Sequence, residues 1–402
     1  MAIAVIRRSV ISSARDTGAS SVPRVPAEST DGAPTGSSRE RTLPVIGILP
    51  SAVGLADRCC GCYVILSPKD WSCHETILAS CLLSRFAGPI SRAITPAITQ
   101  GSAVPTVTTR TIPFRSWQTW VRITEPDEAR AGALPLIVLH GGPGMAHNYV
   151  RNLGELADTG RTVIHYDQLG CGNSTHLPDA PDEFWNPQLF VDEFTNLVAE
   201  LGLSDYHLLG QSWGGMLGAE IATRRPAGLR SLAICNSPAS MALWAEGAAE
   251  LRAELPDDVQ ETLTRHELTG AITHPDYLRA ADVFYERHVC RTVPTPDDFQ
   301  ESVAQMEAEP TVYHTMNGPN EFHVVGTLRS WSVIDRLDLI EAPTLVAAGE
   351  FDEATAGTWQ PFVDHIPTVT SHVFPDASHC VHLEHPQAFR AVIGDFLARH
   401  DS

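Results

Sequence analysis

The sequence has no apolar run of the ~18 residues that a membrane-spanning helix needs. Its most apolar early stretch, around Leu43–Ala56, is broken by Pro44 and Pro50. Basic charge is scarce: 28 Lys and Arg stand against 48 Asp and Glu, a formal net charge of -20. Nucleic-acid binding needs clustered Lys and Arg to neutralise phosphates, so that class is excluded. An acidic surface fits a freely dissolved protein, and it also suits cationic substrates. Nine cysteines are present, but Cys59, Cys60, Cys62, Cys73 and Cys81 form C-C-x-C followed by C-H, not a paired C-x-x-C framework. Zinc is therefore not expected there. An odd cysteine count without a secretory signal predicts reduced thiols and a cytoplasmic setting. Met1–Arg15 contains Arg and Ser and no acid, a faint likeness to an organelle-transit segment, but it lacks an h-region and a cleavage site. Internal repeats are absent too.

What is there divides in two. Residues 1–108 are rich in Ser, Pro, Thr and Arg and poor in periodicity. They predict a low-complexity, disordered N-terminal extension, either a targeting segment or the product of an upstream start codon. Beyond it the pattern is regular. Gln118–Thr124 alternates as a strand does. Leu134–Leu139, Thr162–Tyr166, Tyr206–Leu209, Leu229–Cys235, Pro343–Ala348 and Ser371–Phe374 are short apolar runs. Phe190–Leu201, Met216–Arg224 and Pro386–Arg399 read as helices. Apolar strands alternating with helices predict an α/β fold with a mostly parallel, doubly wound sheet. Residues 109–238 and 329–402 would form this core. Residues 239–328 break the alternation and predict a helical cap, rich in aromatics such as Trp244, Phe284, Tyr285, Tyr313 and Phe322. Inserted after a strand's C-terminal end, it would lie over the crevice where such sheets bind ligands.

The strongest local signal is Gly210-Gln211-Ser212-Trp213-Gly214, which matches G-x-S-x-G between a strand and a helix. That turn lifts a serine hydroxyl clear of the sheet at a helix N-terminus, whose dipole favours negative charge. A second signal, His140-Gly141-Gly142-Pro143-Gly144, ends an earlier strand. Backbone N–H groups of Gly142 and Trp213 are the natural oxyanion donors. A serine nucleophile needs a base, and the base needs an orienting acid, in the chain order Ser, acid, His. Asp352 and His379 each follow a strand and meet that order. His382 and His385 are rivals for the base, but they fall at a helix start where surface or capping roles are expected. Asp335 and Asp338 precede a strand and read as solvated.

Together with Tyr166–Ser174 (YDQLGCGNS), Met316–Phe322 (MNGPNEF) and Gly349–Glu353 (GEFDE), these motifs resemble the proline iminopeptidase family of serine hydrolases, which includes L-amino acid amidases. The likeness covers most of residues 113–399. It implies an α/β-hydrolase fold whose cap reads a free amino terminus, with Glu321 and Glu353 binding the ammonium group. Two carboxylates without a neighbouring Lys or Arg suit a cation drawn out of water. Tyr166–Ser174 is assigned a structural role. The expected activity is release of an N-terminal amino acid, proline favoured, from short peptides or amino acid amides. The alternative is an esterase or lactonase acting on a neutral small substrate. No metal, cofactor, nucleic acid or membrane is expected to take part.

Overall fold

The computed structural model describes residues 105–401. The extension predicted over 1–108 lies almost wholly outside them. Its last residues do not: β1 (Thr106–Phe114) begins inside the predicted extension. The strands that follow are β2 (Trp117–Glu125), β3 (Leu136–Leu139), β4 (Val163–Asp167), β5 (Tyr206–Gln211), β6 (Leu229–Cys235), β7 (Thr344–Gly349) and β8 (Val369–Phe374). They form one sheet in the order β1-β2-β4-β3-β5-β6-β7-β8. β2 is antiparallel to both of its neighbours, β1 and β4, and every other pairing is parallel.

Every residue of β3, β4, β5 and β7 is buried. That double-sided burial is why these strands read as apolar runs. Leu136 and Val138 join one core and Ile137 and Leu139 the other, as the period-2 pleat requires. The helices α1 (Pro187–Leu201) and α2 (Trp213–Ala222) pack on the sheet. Asn186 caps α1 by accepting the Leu189 N–H, and Pro187 sits in its first turn.

Between β6 and β7 the chain leaves the sheet to form α3 (Met241–Ala253), α4 (Asp257–Leu268), α5 (Pro275–His288), α6 (Asp297–Ala308) and α7 (Thr311–Met316). Leu263, Phe284 and Phe299 of this insertion are buried in the core that also holds Leu136 and Val138. The chain then closes with α8 (Ala356–His365), α9 (Val381–Glu384) and α10 (Pro386–Ala398). No helix among the described residues is long and apolar enough to cross a membrane.

The strand order reverses around β3. Its neighbours are β4 and β5, so connections leave it in both directions. A crevice forms at such a switch point, outside the carboxyl ends of the strands. The glycine loop follows β3 and the G-x-S-x-G turn follows β5, and Leu139 pairs with Gly210 in adjacent register.

Candidate active site

Ser212 sits between β5 and α2 with φ 58° and ψ -126°, a left-handed conformation that a β-carbon disfavours. Such backbone costs about 1–3 kcal/mol and persists only where its surroundings over-determine it. Here the bracing is explicit. The Ser212 N–H donates to the Cys235 carbonyl (2.9 Å), and the Ser212 carbonyl accepts from the Ser237 hydroxyl (2.6 Å) and the Gly215 N–H (2.8 Å). Close approach dictates the glycines. A β-carbon on Gly214 would lie 2.1 Å from the Leu139 carbonyl oxygen, and one on Gly210 would lie 2.0 Å from the Gly214 oxygen.

Asp352 and His379 meet. Asp352 Oδ1 lies 2.8 Å from His379 Nδ1 and also accepts the Ala354 N–H (2.8 Å). Asp352 Oδ2 accepts the Asn236 side-chain amide (2.6 Å). Both residues are buried. The backbone of His379 is fixed from two sides: its N–H donates to the His288 carbonyl at the end of α5 (3.1 Å), and its carbonyl accepts the Gln211 amide (3.0 Å). Ser212 and His379 line one cavity of about 380 Å³, together with Gly142, Gln211, Glu321 and Glu353.

The glycine loop is tied to this centre through side chains that sequence reasoning missed. The Tyr149 hydroxyl accepts the Gly141 N–H (2.6 Å) and donates to Gln211 Oε1 (2.5 Å). His140 is buried, and burial holds its pKa down to about 4. As a neutral ring it donates from Nδ1 to the Gly141 carbonyl (3.0 Å) and accepts the Gln168 N–H at Nε2 (3.0 Å). Gln168 Oε1 in turn accepts the indole N–H of Trp213 (2.9 Å). Asp167 accepts from the His147 and Asn173 backbones, which organises the Tyr166–Ser174 loop as its assigned structural role requires. The backbone N–H of Trp213 opens α2, where the first turn leaves donors without intrahelical acceptors.

Glu321 and Glu353 both reach the cavity, whose lining contains no Lys or Arg among the described residues. Glu321 Oε1 accepts the Tyr313 hydroxyl (2.6 Å). Glu353 is buried; its Oε2 has no hydrogen-bond partner, and its Oε1 lies 3.6 Å from His379 Nε2. Burial raises both carboxyl pKa values, and for Glu353 the Glu321 and Asp352 charges push the same way. Among the described residues, the cavity wall thus carries carboxylates without a Lys or Arg to offset them.

The rival histidines fall elsewhere. His385 precedes α10 at its N-terminus. His382 is not the surface or capping residue expected. It is fully buried, its Nε2 bonds the Tyr149 carbonyl (3.0 Å), and burial holds its pKa down to about 3. The apolar packing of α9 against Tyr149 and Phe389 draws it inward. Asp335 and Asp338 are exposed as expected. The aromatics of the insertion divide: Trp244, Phe284 and Tyr285 are core, while Tyr313 also lines the cavity.

Residues 135–386 match the family model of the alpha/beta hydrolase fold. The chain is 34% identical over 297 residues to a proline iminopeptidase of Lactobacillus delbrueckii subsp. lactis, covering 73% of this chain and 99% of that one. The crystal structure of a proline iminopeptidase from Mycobacterium smegmatis is 71% identical, with a TM-score of 0.71 and coverage of 73% and 99%. The crystal structure of VinJ is 50% identical, with the same TM-score of 0.71 and the same coverage of 73% and 99%.

Proposed function

This chain belongs to the proline iminopeptidase family of α/β-hydrolases, and from that premise we propose that it releases an N-terminal amino acid, proline favoured, from short peptides or amino acid amides. The observation that carries the reading is the presence of two carboxylates, Glu321 and Glu353, with Ser212 and His379 in one cavity whose lining, among the described residues, has no Lys or Arg. A buried anion pair is costly unless a cation joins it. The ammonium group of a free amino terminus is such a cation, and it would lie beside the acyl carbon that Ser212 attacks.

In this mechanism Ser212 Oγ adds to the carbonyl while His379 Nε2 takes its proton. Asp352 holds the ring through Nδ1 and stabilises the imidazolium. The N–H groups of Gly142 and Trp213 receive the developing oxyanion. His379 then protonates the leaving amine, and water repeats the sequence on the acyl-enzyme to free the amino acid. The helical insertion serves as the cap that limits substrates to short chains. The cytoplasm is the proposed compartment, supported by the free, buried Cys171, Cys235, Cys290 and Cys380.

Proline p-nitroanilide and its N-acetylated counterpart test the reading directly. The free-amine substrate should be preferred by about 100-fold or more in kcat/KM, the scale of leaving a buried charge unpaired. Equal turnover of the two, or preference for a neutral ester, would favour the esterase or lactonase alternative. Ser212→Ala should abolish turnover and labelling by a fluorophosphonate.

A further inference from the structure

Away from the cavity's catalytic wall, His266, His274 and Asp276 bring one ligand atom each within 4.8 Å of one another. His266 stands in the last turn of α4, His274 caps α5, and Asp276 lies in the first turn of α5. The two imidazole rings are stacked, with centroids 4.5 Å apart and planes inclined by 20°.

A second observation points to a ligand. His266 is only 9% exposed, and its Nε2 is buried without any hydrogen-bond partner. An unpartnered buried imidazole nitrogen carries a desolvation cost that packing alone does not offset. The neighbouring ring does not relieve it. His274 Nδ1 already accepts the Asp276 N–H (3.1 Å). Of the Asp276 carboxylate, Oδ1 is held by Arg279, while Oδ2 faces His274 Nδ1 at 3.7 Å.

We propose that His266, His274 and Asp276 form a binding site for a first-row divalent cation, zinc above all, that clips α4 to α5. Two imidazoles and one carboxylate are borderline donors of the kind zinc takes, with a fourth position left for water. Ligand atoms around tetrahedral zinc stand about 3.3 Å apart. Closing to that spacing would require the half-exposed His274 and Asp276 side chains to rotate, exchanging the Asp276 N–H and Arg279 contacts for the metal. The clip would also fix the turn between the helices, which carries Thr273 on the cavity wall. Occupancy would therefore stiffen one side of the substrate cavity from outside it.

The test uses the full-length chain freed of metal by chelator dialysis, with Zn²⁺ itself as the probe. Equilibrium dialysis counts bound metal, and thermal unfolding reads its effect. Wild type should bind one equivalent more than His274→Gln and Asp276→Asn. At free zinc near the wild-type dissociation constant that equivalent is lost because its affinity falls at least ~10-fold in each variant. Zinc should raise the melting temperature of wild type and not of the variants. Both substitutions are at solvent-accessible side chains, and circular dichroism verifies their fold. Equal zinc stoichiometry and equal thermal shifts in wild type and folded variants would overturn the proposal, since any zinc would then sit on other groups.

Discussion

The Asn236 side chain donates to Asp352 Oδ2 across 2.6 Å, on the opposite oxygen from the one that meets His379. Asn236 directly follows β6 and has φ 54°, a left-handed conformation that asparagine tolerates better than most residues. Asn236→Gly tolerates the same positive φ and removes the side chain with its amide. It should lower kcat about 10- to 100-fold with little change in KM, the value of a hydrogen bond to a charged group. Steady-state kinetics on proline p-nitroanilide checks this. An unchanged kcat would mean that Asp352 is positioned without Asn236.

Tyr149→Phe removes one hydroxyl and strands two partners, the Gly141 N–H and Gln211 Oε1. Each is buried, so stability should fall by about 1–3 kcal/mol in denaturant unfolding. Catalysis should fall with it, because Gln211 also holds the His379 carbonyl. A variant as stable and active as wild type would remove Tyr149 from the supporting network.

Glu353 gives a pH prediction with opposite signs for activity and stability. Its pKa is raised well above 4.5 by burial and by Glu321 and Asp352. Above 4.5 the folded protein therefore holds a proton that the unfolded chain has released, and stability falls as pH rises. Glu353→Gln removes that dependence. At about pH 8 the variant should be more stable by ~0.5–2 kcal/mol, with the gap closing toward pH 5. Its kcat/KM for free-amine substrates should drop, and wild-type kcat/KM should rise with pH as the carboxyl ionises. A variant that is less stable at high pH would contradict this account.

At the far end of the molecule, Asp401 accepts from Arg130, Arg161, the Leu134 N–H and His207. Arg161 is buried, and the combined donors hold the Asp401 pKa well below the usual carboxylate range. A depressed folded-state pKa contributes stability above 3.8 that is lost as pH falls through the depressed value. Asp401→Ala leaves Arg161 short of charge and should cost about 3 kcal/mol at neutral pH, with kcat unchanged. Thermal unfolding at neutral and acidic pH measures both parts.

The sheet was legible where burial is two-sided. β3 to β7 are apolar runs because helices cover both faces, and their ends were read to within a few residues. β1 was not, since six of its first residues are exposed and its Thr-rich sequence resembles the segment before it. In the site, Ser212, Asp352 and His379 could be picked out because each follows a strand in a fixed chain order. Tyr149 could not: it lies in a 3₁₀ segment, His147–Thr159, and meets Gln211 only through the tertiary fold. Asn236 carries no signal in the sequence for the same reason, with its partner 116 residues away. His382 misled because a polar residue near a helix start usually faces water, whereas its helix here is pressed into the core.

β6 and β7 are hydrogen-bonded neighbours, with Cys235 beside Ala347, although more than a hundred residues separate them in the chain. The detour through α3 to α7 consequently departs from and rejoins one fixed ladder. Its helices can be lengthened, trimmed or exchanged in evolution without disturbing the register that aligns Ser212 with Asp352. Of the two cavity carboxylates, Glu353 stays with the ladder and Glu321 travels with the detour, so an exchanged lid would leave the first in place and alter the wall that faces it.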